Sequence, residues 1–332
     1  MLAHNTRTRK LVAAVVAAVA VVAAGLSAPT PAQAQSGNVV TFGDSYTSSP
    51  DEWLNGMLAS PLPTPPPPAD YPMTAGCLQS PYNWPRQLAD KTGLEVDDWS
   101  CTAQNTAGML GRIDHAIEEG VITPSTRAVI FSVGGNDFTP AMQNQGPLVS
   151  STGTLQAQHA QQMRQAADKV RSVAPGAQLV VSGYPQVTNG YAMCFVHLIP
   201  NLPLGVPLPG AYAEQTIRDM QRQGAATAGM DFVDNYALTA GHDTCSRDDD
   251  QRYVSGIVDF TSPAYEMAVH PTNLGHAAIA ANNARALGFT DVTDEAPEWA
   301  QSASMSSALS STAASGSSGS SASPAPRSSL SS

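Results

Sequence analysis

Two short apolar runs, Val39-Val40-Thr41-Phe42 and the segment from Arg127 to Val133, each break abruptly into a glycine-led turn. Runs of β-branched and aromatic residues of this length read as strands buried on both faces. The first gives way to Gly43-Asp44-Ser45 and the second to Gly134-Gly135-Asn136-Asp137. A glycine directly after a strand marks a sharp turn, and it leaves the next side chains at the strand's carboxyl edge. In open α/β sheets that edge is where ligands sit. Gly-Asp-Ser alone also makes ordinary turns, so its meaning depends on what else reaches the edge.

The rest of the chain alternates strand and helix. Helical patterns run over Trp84–Lys91, Leu155–Val173, Ala211–Ala228 and Leu274–Leu287, with short strands over Leu94–Trp99, Gln178–Ser182 and Asp231–Asp234. Such alternation predicts a three-layer α/β/α sandwich around a mostly parallel sheet. The long irregular segments Thr47–Gly76, Phe138–Gly153 and Tyr184–Gly210 all follow strands, and so should crowd the active edge and wall a pocket. The third holds the apolar run Phe195–Pro200 and Leu202–Leu204, which suits either an acyl chain or packing beneath a bridge at Cys194.

Val269-His270-Pro271-Thr272-Asn273 places a histidine on a loop just before the last helix, with Pro271 disfavouring helix at His270. Taken in order, Gly43-Asp44-Ser45, Gly134-Gly135-Asn136-Asp137 and His270-Pro271-Thr272-Asn273 resemble the SGNH hydrolases, the GDSL esterase/lipase family, in a form similar to secreted actinobacterial members. The resemblance covers about Ser36 to Phe289, and no Gly-x-Ser-x-Gly elbow competes with it. It implies a flavodoxin-like fold and a secreted carboxylic ester hydrolase that needs no cofactor and no metal. Ser45 would be the nucleophile and His270 the base that takes its proton. The backbone N–H of Ser45 and the Asn136 side chain would supply an oxyanion hole.

Two positions depart from the family pattern. Ala103 stands where the family has a glycine donor, and it would be strained if the backbone there needs positive φ; Gly108 is the second choice. Met267 stands where the family has the aspartate of Asp-x-x-His. Its backbone carbonyl is therefore expected to orient His270, leaving a Ser-His dyad, with Glu266 and Asp259 as alternative acids. The dyad reading expects Glu266→Ala and Asp259→Ala to retain most activity. Transfer of the acyl group to an alcohol or sugar of the cell envelope, and a catalytically inactive binding module, are the competing functions.

Cys77, Cys101, Cys194 and Cys245 make an even count without a Cys-x-x-Cys motif, which points to two disulfides and away from a metal site. The resemblance implies the pairs Cys77–Cys101 and Cys194–Cys245. Arg7, Arg9 and Lys10, the apolar stretch Leu11–Leu26 and Ala32-Gln33-Ala34 compose an export signal over residues 1–34. Its removal takes three positive and no acidic residues, moving the net charge from −11 to −14. That charge argues against nucleic acid and anionic lipid as partners and leaves neutral ester substrates. The expected product is a monomer, extracellular or wall-associated, without stable membrane insertion. It has a catalytic domain over 35–292 and a Ser/Ala-rich tail over 293–332 that reads as disordered, most plainly from Ser302.

Other polar residues have plainer readings. Asp44 is expected to brace its turn, Asp137 to be structural and His276 to be packed in its helix. No role attaches to His115, His159, His197 or His242, and Asp248-Asp249-Asp250 reads as a solvated acidic loop rather than a calcium site.

Overall fold

The computed structural model describes residues 37–138, 152–207 and 210–301. The expected export signal, most of the segment Phe138–Gly153 and the tail from Ser302 lie outside these residues. The chain forms β1 (Val39–Gly43), a single helical turn α1 (Ser45–Ser48), α2 (Glu52–Leu58), a hairpin of β2 (Met73–Thr74) and β3 (Cys77–Leu78), then α3 (Trp84–Thr92), β4 (Val96–Asp98) and α4 (Thr106–Glu118). β5 (Ala128–Ser132) leads into a 3-10 turn at Gly135–Phe138, α5 (Thr152–Val173) and β6 (Gln178–Ser182). A second hairpin, β7 (Ala192–His197) and β8 (Leu204–Pro207), precedes α6 (Gly210–Ala228), β9 (Asp231–Val233) and α7 (Asn235–Leu238). β10 (Val258–Asp259), α8 (Asn273–Ala286) and α9 (Glu298–Gln301) complete the described chain.

The five-stranded sheet has the order β4-β1-β5-β6-β9, and every pairing in it is parallel. Counting only its own strands, this is the flavodoxin-like order 2-1-3-4-5, whose ligand crevice opens at the carboxyl ends of the first and third strands. Those strands are β1 and β5. Gly43 pairs with Ser132 across them, so the turns that follow start level with one another.

The strands alternate between two helical layers. Val40, Phe42, Val129 and Phe131 pack on one side with Met109, Ile113, Met163 and Val170, from α4 and α5. Val39, Ala128, Ile130 and Val180 pack on the other with Trp84, Leu88, Ile279 and Ala284, from α3 and α8. Burial on both faces is why these strands read as continuous apolar runs rather than as alternating ones. The three-layer α/β/α expectation therefore holds.

Several features differ from the sequence expectation, among them helix α2 and strand β2 inside the segment Thr47–Gly76 that reads as irregular. Helix α4 was not anticipated, because Gly108 and Gly111 weaken its helical pattern; the Asn105 side chain caps it by accepting the Gly108 N–H at 2.8 Å. The irregular segment Tyr184–Gly210 contains the β7-β8 hairpin, and β7 also pairs in parallel with β10. Packed structure also continues past 292: Ala296 and Ala300 are buried, and the Ala300 carbonyl accepts the Asn273 side-chain amide at 2.7 Å.

Candidate active site

Gly43 is required by space. A Cβ there would lie 2.1 Å from Thr47 Oγ1 and 2.4 Å from Thr47 Cβ, so only glycine lets the α1 turn fold back onto the end of β1. Asp44 caps that turn, its Oδ1 accepting the Tyr46 N–H at 2.9 Å. Ser45 is thereby the first residue of α1, partly exposed at the carboxyl edge.

Tyr46, next in sequence, carries the turn to the histidine loop. Its ring centroid lies 4.6 Å from that of His270, and its Oη donates to the Val269 carbonyl at 2.9 Å. Val269 itself has φ +61°, a costly conformation for a β-branched residue. The strained residue is held from both sides, because its N–H donates to the Gly256 carbonyl at 3.3 Å. Ser255 adds two ties: its N–H donates to the His270 carbonyl at 3.1 Å, and its hydroxyl donates to the Met267 carbonyl at 3.0 Å.

The Met267 carbonyl is thus engaged with Ser255 and does not face the His270 Nδ1. The carbonyl of Ala268 does, at 2.8 Å. A carbonyl can only accept, so Nδ1 carries the proton and Nε2 is left with a free lone pair. Nε2 is buried and makes no hydrogen bond among the described residues. Burial lowers the pKa of His270 below the ordinary imidazole value, against smaller opposing effects of the Ala268 bond and of Glu52.

Neither alternative acid reaches this ring. Asp259 is committed elsewhere: its carboxylate accepts from His197 Nδ1 at 2.8 Å, the Gly256 N–H at 2.7 Å and the Ser262 N–H at 2.9 Å. Burial alone would raise its pKa, but these bonds prevail and hold it well below the usual carboxylate range. Glu266 is buried, and desolvation together with the charge of Asp51 pushes its pKa up to about 7.

Asn136 lies on the 3-10 turn after β5, and its Nδ2 donates to the Gln104 carbonyl at 3.1 Å. This draws Asn136 to the loop containing Ala103, which Thr102 also ties to α1 by a 3.2 Å contact between its hydroxyl and that of Ser48. The N–H of Gly108 is spent on its helix cap, which removes Gly108 as an alternative donor. Ala103 has φ +65°, the left-handed conformation that favours glycine. An alanine there costs about 1–2 kcal/mol, and glycine returns part of this as unfolded-chain entropy. Ala103→Gly is therefore expected to raise stability by about 0.5–1 kcal/mol while keeping the N–H donor; an unchanged or lower urea midpoint would show that the site carries no such strain.

Sequence reasoning missed Tyr184. It follows β6 as Asn136 follows β5, and its hydroxyl donates to Asp44 Oδ2 while accepting the Gly135 N–H at 3.0 Å. One side chain thus joins the serine turn to the asparagine turn. The signal was its place just past a strand, in Gly183-Tyr184-Pro185. Asp44 is fully enclosed here; burial raises its pKa to about 7, with the bonds from Tyr184 and Tyr46 opposing. Tyr184→Phe would leave a buried carboxyl oxygen of Asp44 without its partner, costing about 1–3 kcal/mol, and would release the half-buried Gly135 N–H. We expect kcat to fall about tenfold with KM little changed, as for a residue that sets geometry rather than binds; an unaltered kcat would remove Tyr184 from the positioning network.

Other polar groups are structural. Asp137 accepts the Thr106 N–H at 2.8 Å and faces His159 Nδ1 at 3.1 Å, fixing the asparagine turn against α4 and α5. His276 Nδ1 accepts the Trp84 N–H at 3.2 Å, joining α8 to α3, and burial lowers its pKa to about 3. The run Asp248-Asp249-Asp250 is not the fully solvated loop expected, because Asp249 is buried and pairs with Arg252; among the described residues no group of three His, Cys, Asp or Glu is placed to hold a metal ion. The disulfides are Cys77–Cys101 and Cys194–Cys245, and the first anchors the loop of Ala103.

With this geometry in place, residues 41–278 match the pattern of the GDSL-like Lipase/Acylhydrolase family. The chain belongs to that family of ester hydrolases. A curated relative, Lipase 2 of Streptomyces coelicolor, is 32% identical over 142 residues, which are 39% of this chain and 41% of the relative. The matched region thus spans about two fifths of that lipase. Among solved structures, an extracellular lipase from Streptomyces rimosus aligns at TM-score 0.49 and 22% identity, covering 75% of this chain and all of that one. A phospholipase A1 from Streptomyces albidoflavus aligns at 0.47 and 20%, covering 73% of this chain and 95% of that one. No helix among the described residues is long and apolar enough to cross a membrane.

Proposed function

We propose that this GDSL-family protein is an exported serine esterase or lipase in which Ser45 and His270 act as a dyad. The observation that carries the reading is Tyr46, whose ring and hydroxyl clasp the His270 loop beside the nucleophile turn. In the first half-reaction the Ser45 Oγ attacks the ester carbonyl carbon as His270 Nε2 takes its proton. The Ala268 carbonyl holds the ring in the tautomer that can accept. Negative charge on the carbonyl oxygen meets the N–H groups of Ser45 and Ala103 and the amide of Asn136. Collapse expels the alcohol, protonated by His270. Water, deprotonated by the same nitrogen, then cleaves the acyl-serine and releases the acid. Export is supported by the leader-like segment 1–34 and by two disulfides, which persist in oxidising compartments.

The test is a fluorophosphonate probe combined with aryl esters from acetyl to palmitoyl. Wild type is expected to be labelled and to hydrolyse part of the ester series, and Ser45→Ala to do neither. Failure of the folded wild type to react would favour a binding module. Recovery of a new ester instead of free acid when an alcohol is supplied would replace hydrolysis with acyl transfer.

A further inference from the structure

The sheet β10-β7-β8 has two unlike faces. On the inner one, His197 and Asp259 pair across β7 and β10 and are buried. One position away the register aligns Val258 with Val196, and Val196 with Leu204, in an apolar row across all three strands. Its neighbours extend the row: Phe260 is 81% exposed, Ile199 54%, Leu198 52% and Val206 48%. Single exposed apolar side chains are ordinary, but a continuous group on one face marks an interaction surface.

Charge identifies what the surface fits. From Ser172 to Ala213 the chain has no Asp, Glu, Lys or Arg, although its net charge is −11. β10 contributes one carboxylate, Asp259, and it is turned inward. Protein partners are usually set in register by a polar and charged rim; the hairpin itself supplies no charge to one, and charged groups meet it at its tip, where Asp249 accepts the Asn201 N–H between exposed Asp248 and Asp250. An anionic membrane would be repelled by the acidic body of the protein. An uncharged or zwitterionic lipid interface asks only for apolar area.

The chain also runs directly from this sheet to the histidine loop. Ile257, 56% exposed, adjoins Gly256, whose carbonyl accepts the Val269 N–H beside His270. The apolar run that the sequence offered for an acyl pocket or for packing under the Cys194 bridge divides accordingly: Cys194 and His197 pack inward, and Leu198 and Ile199 face solvent.

We propose that the outer face of β10-β7-β8 is a docking surface for neutral lipid aggregates, which brings Ser45 to esters held at such an interface. The proposal rests on the esterase reading for its purpose but not for its test. Full-length Ser45→Ala protein is sedimented with phosphatidylcholine vesicles, alone and with Phe260→Ser, Val206→Ser and Val258→Ser added together. The expected result is partition onto the vesicles that falls at least tenfold in the combined variant and is weaker for vesicles rich in phosphatidylglycerol. With Ser45 restored, the same three substitutions should leave turnover of a monomeric acetyl ester unchanged and reduce turnover of an emulsified long-chain ester. Equal partition with and without the substitutions would overturn the proposal. So would a dimer, dissolved by them, that does not bind vesicles, since the face would then receive a second copy of this chain. Because the vesicle measurement needs no turnover, absence of all ester hydrolysis would count against the proposed function and not against docking.

Discussion

His270→Ala is expected to lower kcat about 10⁴-fold or more with little change in KM, because in the proposed dyad His270 acts on the proton in flight and not on bound substrate. The companion is Glu266→Gln, expected to keep near wild-type turnover, since the His270 ring is oriented by the Ala268 carbonyl and not by a carboxylate. A collapse of Glu266→Gln to the level of His270→Ala would reject the dyad. Both proteins can be checked for folding by pH-dependent denaturation, where Glu266 has its own signature. Its pKa rises from 4.5 unfolded to about 7 folded, so its protonated form stabilises the fold at acid pH and that contribution is lost as pH climbs through about 7. Glu266→Gln should match wild type below pH 4.5 and exceed it in stability above pH 7. For His270 the lowered pKa keeps the ring neutral to more acidic pH, placing the acidic limb of kcat/KM below 6.5.

The fold was legible because the buried strands β1, β5 and β6 are apolar on both faces and the helices α3 and α5 between them are long enough to show their period. Helix α4 was hidden by its two glycines, and the β7-β8 hairpin by its prolines, which mimic loop composition. At the proposed site, motif spacing proposes Ser45, Asn136 and His270, and each follows a strand or precedes a helix in the structure. What replaces the family's glycine and aspartate was not readable, for two different reasons. The φ of Ala103 is set by its surroundings, the bridge at Cys101 and the bond from Asn136 to Gln104, none of which leaves a trace in local sequence. The carbonyl facing His270 depends on which of two adjacent peptide groups Ser255 engages, and Ser255 lies 12 residues from Met267. A motif encodes side chains, whereas this choice is made by backbone.

Asp259→Ala is expected to destabilise the domain by about 3–5 kcal/mol, the cost of removing one partner from a buried ion network. The sequence reading placed Asp259 among mutations that retain most activity. That expectation concerns turnover alone; the surroundings of Asp259 add a cost in stability and leave the proposed dyad untouched. His197 and Asp259 are both fully enclosed; the ring's other nitrogen, Nε2, faces the Thr244 carbonyl at 2.8 Å, next to the Cys194–Cys245 bridge. Arg252 Nη1 lies 3.6 Å from the same carboxylate. Removing Asp259 takes away one of the two carboxylates beside Arg252, Asp249 being the other, and the acceptor from Gly256, whose carbonyl steadies Val269, so the strained residue before His270 loses part of its support. Asp259→Asn preserves the side chain's size and one acceptor oxygen but not the charge, and should lose less stability than alanine. The measurement is a denaturant midpoint for each variant together with kcat at a low temperature where both are folded. Stability within about 0.5 kcal/mol of wild type, the range of ordinary surface substitutions, would show that the network does not support the histidine loop. A variant that is destabilised yet turns over normally when folded would separate Asp259's contribution to the fold from any influence on His270.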